Sequence, residues 1–202
     1  MIEIGKTSLT PIARDELVIL RHAPADHGGR LCGRTDVAAC LPAPARLDPL
    51  RSLLAGCDSV SSPARRCRET AKALFPKRDL VTDPRLWEQD FGAAEGCAFA
   101  DLPDLGTLSL EKLARYTAPG GESFADMAAR VDPALRQLAA RVRQSGPLVL
   151  VAHAGTARAA LGLALGQPAL GLKFEIAPLS LTRLRCLPDG MSIIATNEGA
   201  AV

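Results

Sequence analysis

Two aliphatic runs, each stopping at a histidine, constrain this chain more than any other feature. Leu17, Val18, Ile19 and Leu20 lead into Arg21 and His22, and Leu148, Val149, Leu150, Val151 and Ala152 lead into His153. Near-continuous aliphatic runs are the pattern of strands buried on both faces, as in parallel sheets covered by helices. In open α/β sheets ligands collect beyond the carboxyl ends of such strands. Only 3 histidines occur in 202 residues, and two of them occupy that position. A guanidinium and two imidazoles there point to chemistry rather than to solvated surface.

The rest of the chain alternates strand-like and helix-like patterns, which predicts a mainly parallel sheet with helices on its faces. Residues 45–55 carry Leu47, Leu50, Leu53 and Leu54 at helical spacing and end at Gly56. Residues 58–61 read as a second strand. Ser62 as cap and Pro63 at the first helical position open a helix through Leu74. Residues 79–82 offer a further strand. Residues 97–119 form a loop with a helical piece over 110–116, closed by Gly120 and Gly121. Ser123 starts a long amphipathic helix carrying Phe124, Met127, Val131, Leu135, Leu138 and Val142, with Pro133 as a possible bend. Residues 155–165 form a helix, and 180–186 and 191–195 are expected as antiparallel edge strands. No repeat or second domain is visible, so residues 1–202 are read as one domain.

Composition narrows the function classes. A formal charge of +2 gives no electrostatic reason to expect a nucleic acid or membrane partner, and 3% aromatic residues exclude base-stacking platforms. The 6 cysteines include no CxxC pair, so neither a zinc site nor a redox dithiol is signalled. Scattered cysteines suit a reducing compartment. No apolar stretch reaches the roughly 20 residues of a membrane helix, and residues 1–10 lack a signal peptide's hydrophobic region; a cytoplasmic location is expected. Gly5, Lys6 and Thr7 imitate the end of a phosphate-binding P-loop, but the strand and glycine that should precede them are missing.

Four segments share a theme, a charged or polar group at a strand end or helix start. They are Leu20-Arg21-His22-Ala23, then Ser61 to Ala71 with Arg65, Arg66 and Arg68, then Leu86 to Gly96 with Glu88, and Ala152-His153-Ala154-Gly155. In order and spacing they resemble the histidine phosphatase superfamily, also called phosphoglycerate mutase-like, across most of the chain. Pro119-Gly120-Gly121-Glu122-Ser123 matches a further segment of that family. The resemblance implies a three-layer α/β/α sandwich with an antiparallel edge strand, and a small cap (97–119) over the pocket. It also implies a phosphatase that needs no metal or other cofactor and acts on a small-molecule phosphomonoester.

The chemistry explains these residue types. A phosphomonoester carries about two negative charges near neutral pH, so the site must supply fixed cations and donors. Arg21 and Arg66 can do so bidentately. By the resemblance His22 is the nucleophile that becomes phosphohistidine, and it must be neutral, with its other ring nitrogen held as a donor. His153 and the main-chain N–H groups near Ala154 would stabilise the transferring group. Glu88 matches the acid that protonates the leaving alkoxide and then activates water. Arg65 and Arg68 remain open as the phosphate arginine, and Asp90 and Glu95 as the acid.

The match departs in one place. The family's glycine, threonine and asparagine after the first histidine are here Ala23, Ala25 and Gly28, so two side-chain donors are missing; His27 stands one residue away as a substitute donor. Leu31 to Asp36 resembles a segment whose backbone contacts substrate, making Cys32 and Gly33 candidate donors, and it points to the α-ribazole phosphatase branch. Its bland alternative is a turn. Phosphoglycerate mutase-type phosphotransfer is the competing activity, disfavoured by the short cap, and a catalytically weak phospho-ligand binder is the competing class.

Overall fold

The computed structural model describes residues 10–199, so the P-loop imitation at residues 5–7 and nearly all of the leader segment lie outside the described residues. Six strands form one sheet: β1 (Glu16–Arg21), β2 (Asp58–Ser61), β3 (Val81–Thr82), β4 (Leu148–Ala152), β5 (Leu181–Leu187) and β6 (Gly190–Glu198). Their spatial order is β3-β2-β4-β1-β5-β6, with β3, β2, β4 and β1 parallel and β5 and β6 antiparallel. The mostly parallel α/β sheet expected from the aliphatic runs is therefore present. β5 is not an edge strand: it pairs with β1 on one side and β6 on the other, and β6 alone closes that edge. Sequence polarity misleads here because β5 carries Thr182 and Arg183 inward, where Arg183 forms a buried ion pair with Glu16.

The five longer helices are α1 (Pro44–Leu54), α2 (Arg65–Leu74), α3 (Leu110–Arg115), α4 (Phe124–Ser145) and α5 (Ala154–Ala164). Strand alternation divides the core in two. Val18, Leu20, Val149 and Val151 pack with Leu47, Leu50, Leu54 and Cys67 of α1 and α2. Leu17, Ile19, Leu148 and Leu150 pack with Met127, Val131, Leu135 and Leu161 of α4 and α5. Each strand residue serves the face its parity assigns, which makes three layers. α4 begins at the expected Ser123, whose hydroxyl accepts from the Asp126 N–H while the Asp126 carboxylate accepts from the Ser123 N–H. That reciprocal box satisfies two helix-start donors. Pro133 lies inside α4 without ending it.

α2 begins three residues later than Ser62 suggests. Its first residue is Arg65, with Ala64 at the cap and no side-chain capping bond. The Ser62 hydroxyl is drawn instead to His153. Short 3-10 turns at Pro84–Leu86, Gly92–Ala94, Phe99–Asp101 and Pro168–Lys173 fill stretches that periodicity left as loop.

Candidate active site

The β1–β4 register places Arg21 beside Ala152, so His22 and His153 leave the sheet side by side. The His22 N–H reaches the Ala152 carbonyl at 2.9 Å, and the Ser62 N–H reaches Val151 at 2.9 Å, bringing the end of β2 alongside. Three adjacent parallel strand ends thus supply His22, Ser62 and His153, at the location the fold class reserves for ligands. The two imidazole centroids are 5.3 Å apart in an edge-to-face arrangement.

Each ring's tautomer follows from its partners. His22 Nδ1 lies 2.6 Å from the Ala23 carbonyl, which can only accept, so Nδ1 carries the proton and Nε2 the lone pair. Burial, helped by Arg66 and Arg21 and opposed by the Ala23 bond, lowers the His22 pKa from 6.5 to about 3. The ring is neutral at working pH. Arg66 Nε lies 3.3 Å from that Nε2. His153, fully buried, has its pKa lowered well below 6.5 by burial first and then by Arg66 and His22. Arg66 Nη2 is 3.4 Å from His153 Nδ1, and Ser62 Oγ is 2.8 Å from Nε2. A guanidinium only donates, which assigns the His153 proton to Nε2, donating to Ser62.

Arg66 is 1% exposed, and its partners are all neutral: the Gly33 and Thr35 carbonyls at 2.8 and 3.1 Å and the two imidazoles. A buried cation solvated only by dipoles strongly favours an incoming anion. Arg65 and Arg68 face solvent, Arg65 being held by Glu69 at 2.7 Å. Helical periodicity turns only the middle arginine of the three inward. Arg21 donates to the Ile176 carbonyl at 2.5 Å while its buried Nε has no partner. Burial depresses its pKa, with Glu88 acting in the opposite direction.

Glu88 approaches the same cluster from a loop. Its Oε2 accepts from the Gly155 N–H at 3.3 Å at the start of α5, and its Oε1 from the Gln89 N–H at 3.0 Å. A Cβ at position 155 would stand 2.1 Å from Glu88 Oε1, so the approach requires glycine there. Ala154 opens α5, and its N–H is one of the helix-start donors without a partner inside the helix.

The two other acid candidates are committed elsewhere. Glu95 accepts from five donors: the N–H groups of Gly33, Arg34, Thr35 and Phe91, and the Thr35 hydroxyl at 2.6 Å. Burial pushes its carboxyl up, but these bonds together hold it below its ordinary value of 4.5. Asp90 closes a turn by accepting from the Gly92 N–H at 2.9 Å.

Two expected donors sit differently from the reading above. The Gly33 N–H is engaged by Glu95, and it is the Gly33 carbonyl that serves the cluster, through Arg66. Cys32 is half-buried beside it. His27 accepts from the Gly29 N–H at 3.0 Å and sets its ring edge on Phe99 at 5.1 Å, contacts that lie outside the histidine cluster. Ser62 and Glu95 were not foreseen. For Ser62 a signal existed, since it follows a strand just as His22 and His153 do.

The model of the histidine phosphatase superfamily (branch 1) matches residues 17–199. This chain belongs to that superfamily. Among curated relatives, a glucosyl-3-phosphoglycerate phosphatase of Mycobacterium tuberculosis is 34% identical over 186 residues, covering 77% of this chain and 79% of the relative. One from Mycolicibacterium vanbaalenii is 30% identical over 175 residues, covering 75% of each. The solved mycobacterial glucosyl-3-phosphoglycerate phosphatase complexed with VO3 superimposes with a TM-score of 0.75 at 28% identity, covering 92% of this chain and 99% of that one. A phosphoserine phosphatase of Entamoeba histolytica shares the fold, with a TM-score of 0.77 at 18% identity, covering 93% of this chain and 99% of that one. Within this superfamily the chain is a phosphoric monoester hydrolase.

Proposed function

We propose that this protein hydrolyses a small-molecule phosphomonoester through a phosphohistidine at His22. The observation that carries the reading is the pinned His22 tautomer. With Nδ1–H held by Ala23 at 2.6 Å, the Nε2 lone pair is available beside the buried Arg66 guanidinium. His22 Nε2 bonds to phosphorus as the bond to the ester oxygen breaks, and Glu88 gives its proton to the departing alkoxide. Glu88, now a carboxylate, takes a proton from water as that water attacks the phosphohistidine. The N–P bond breaks, inorganic phosphate leaves, and His22 and Glu88 return to their starting forms.

Arg66, Arg21 and His153 carry the charge that develops on the transferring group. A guanidinium pair and an imidazole supply the electrophilic assistance, so the cycle assigns no step to a metal ion. Segment 97–119 is the cap over the pocket, and its brevity supports hydrolysis over the water-excluding phosphotransfer of a mutase. Free cysteines at all six positions support a reducing, cytoplasmic setting.

For the substrate, the relatives' names bring glucosyl-3-phosphoglycerate, and the Leu31–Asp36 segment brings α-ribazole 5′-phosphate. Both belong in a panel with 3-phosphoglycerate, where mutase turnover without phosphate release would overturn hydrolysis. The central test is acid-quench trapping of labelled phosphate. Label on the wild type and none on His22→Ala is the expected result; equal labelling of the two removes His22 as nucleophile.

A further inference from the structure

A cavity of about 290 Å³ opens between the Glu88 loop, segment 97–119, the start of α4 and the 3-10 turn at Pro168–Lys173. Its place relative to the chemistry follows from its walls. Gln89, on one side, is the residue after Glu88; Leu172, on the other, lies four residues before Ile176, whose carbonyl holds Arg21. In an in-line displacement the leaving group stands opposite the nucleophile and beside the acid. The alcohol released on the Glu88 side therefore faces this cavity.

The lining is apolar: Leu31, Phe91, Leu102, Leu105, Leu113 and Leu172 dominate it. Three side chains in the wall carry polar atoms, Gln89, Tyr116 and Glu122, and two are already spent. The Gln89 amide donates to the Glu122 carbonyl at 2.8 Å. The Glu122 carboxylate takes two bonds from Arg130 at 2.7 Å and one from the Asp90 N–H at 3.1 Å. A polyhydroxylated or carboxylated leaving group would enter with its polar groups unpaired, whereas an aromatic or branched alkyl group would lose only its contact with water.

We infer that the preferred substrate is a phosphomonoester of an apolar alcohol, with a compact aromatic or aliphatic group and no second charge. This deepens the proposed function and rests on it. The class differs from the sugar acid named for the mycobacterial relatives, so specificity within the family would be set here by the cavity wall rather than by the histidine cluster.

The test compares kcat/KM for 2-phenylethyl phosphate, glycerol phosphate and 3-phosphoglycerate. All are alkyl esters, so the leaving oxygens are of similar acidity and the difference reads the cavity. At least a tenfold preference for 2-phenylethyl phosphate over either polar ester is expected. In Leu105→Lys, and separately in Leu102→Lys, that ratio should fall at least tenfold, a readout that reduced folding yield does not move. Phosphohistidine labelling from acetyl phosphate, which needs no leaving-group pocket, runs alongside. If label forms and glycerol phosphate matches or beats 2-phenylethyl phosphate, the apolar assignment is wrong while the histidine chemistry stands. If no label forms on the wild type, the histidine chemistry fails and the inference falls with it.

Discussion

The two halves of the candidate site are held in different ways. His22, Ser62 and His153 stand at the ends of adjacent strands, fixed by backbone register and buried to 5% exposure or less. Glu88, Gly33 and the cavity wall are half-buried loop groups, and carboxylates tie those loops in place: Glu95 gathers residues 33–35 and 91, and Glu122 gathers Asp90 and Arg130. The strand half gets its geometry from the sheet, which the core stabilises. The loop half gets its geometry from a few charge-assisted hydrogen bonds, each roughly 1.5–3 kcal/mol. Changes in the first half should therefore remove chemistry at constant shape, and changes in the second should alter geometry.

The largest contrast is expected from His22→Ala. Loss of a nucleophile that anchors a covalent cycle costs on the order of 10⁴-fold or more in kcat, and circular dichroism should show an unchanged fold. Glu95→Gln comes next. It loosens the loop whose Gly33 and Thr35 carbonyls aim Arg66, so kcat/KM should drop about 10- to 100-fold, in line with displacing a charged transition-state donor. Steady-state kinetics on both variants, read against their urea midpoints, decides whether the halves differ as described. A Glu95→Gln enzyme with wild-type kinetics would erase the distinction.

Thr70→Val tests the seam between the halves. The Thr70 hydroxyl accepts from the Ala23 N–H at 3.0 Å and donates to the Arg66 carbonyl at 2.7 Å, tying the residue that sets the His22 tautomer to the helix that carries the arginine. Both bonds are buried, so a stability loss of about 1–3 kcal/mol is expected, with a smaller kinetic effect. Denaturant unfolding gives the first quantity and kcat the second.

Acid should also separate the halves, though more gently. The folded pKa of His22 lies near 3, below its ordinary 6.5, and that of His153 is lowered too, so between these values the unfolded chain binds more protons. Stability from keeping the rings buried and neutral is complete above pH 6.5 and declines as pH falls toward 3. The Glu95 tether is complete above its ordinary 4.5 and weakens only as pH falls below that. Urea midpoints measured from pH 7 to 4 should fall steadily in the wild type and less steeply in a His22→Asn, His153→Gln variant. Equal slopes would mean the rings titrate normally.

The strand half was legible because its signals are local. An aliphatic run ending in a histidine needs no partner to be noticed, and a helix start with three arginines fixes which face can turn inward once a sheet lies beneath it. The loop half was legible only in residue type. Asp90, Glu88 and Glu95 are three carboxylates within eight positions, and their spacing carries no statement about which one five donors will surround. Ser62 was misjudged for a related reason: a serine followed by proline suits a helix cap, but His153, 91 residues away, competes for the same hydroxyl. β5 was placed at the edge because its polar residues suggest solvent, although Arg183 lies buried against Glu16 at 2.8 Å.

By itself, then, the sequence determined the parallel sheet, the two histidine-bearing strand ends and the family, since hydrophobic period and short-range motifs act within a few residues. Only the tertiary structure decided the tautomers, the single inward arginine, the roles of Glu88 and Glu95, and the apolar character of the cavity. Those depend on which donor meets which acceptor across separations of 30 to 90 residues, and buried polar groups settle that competition only once the chain has folded.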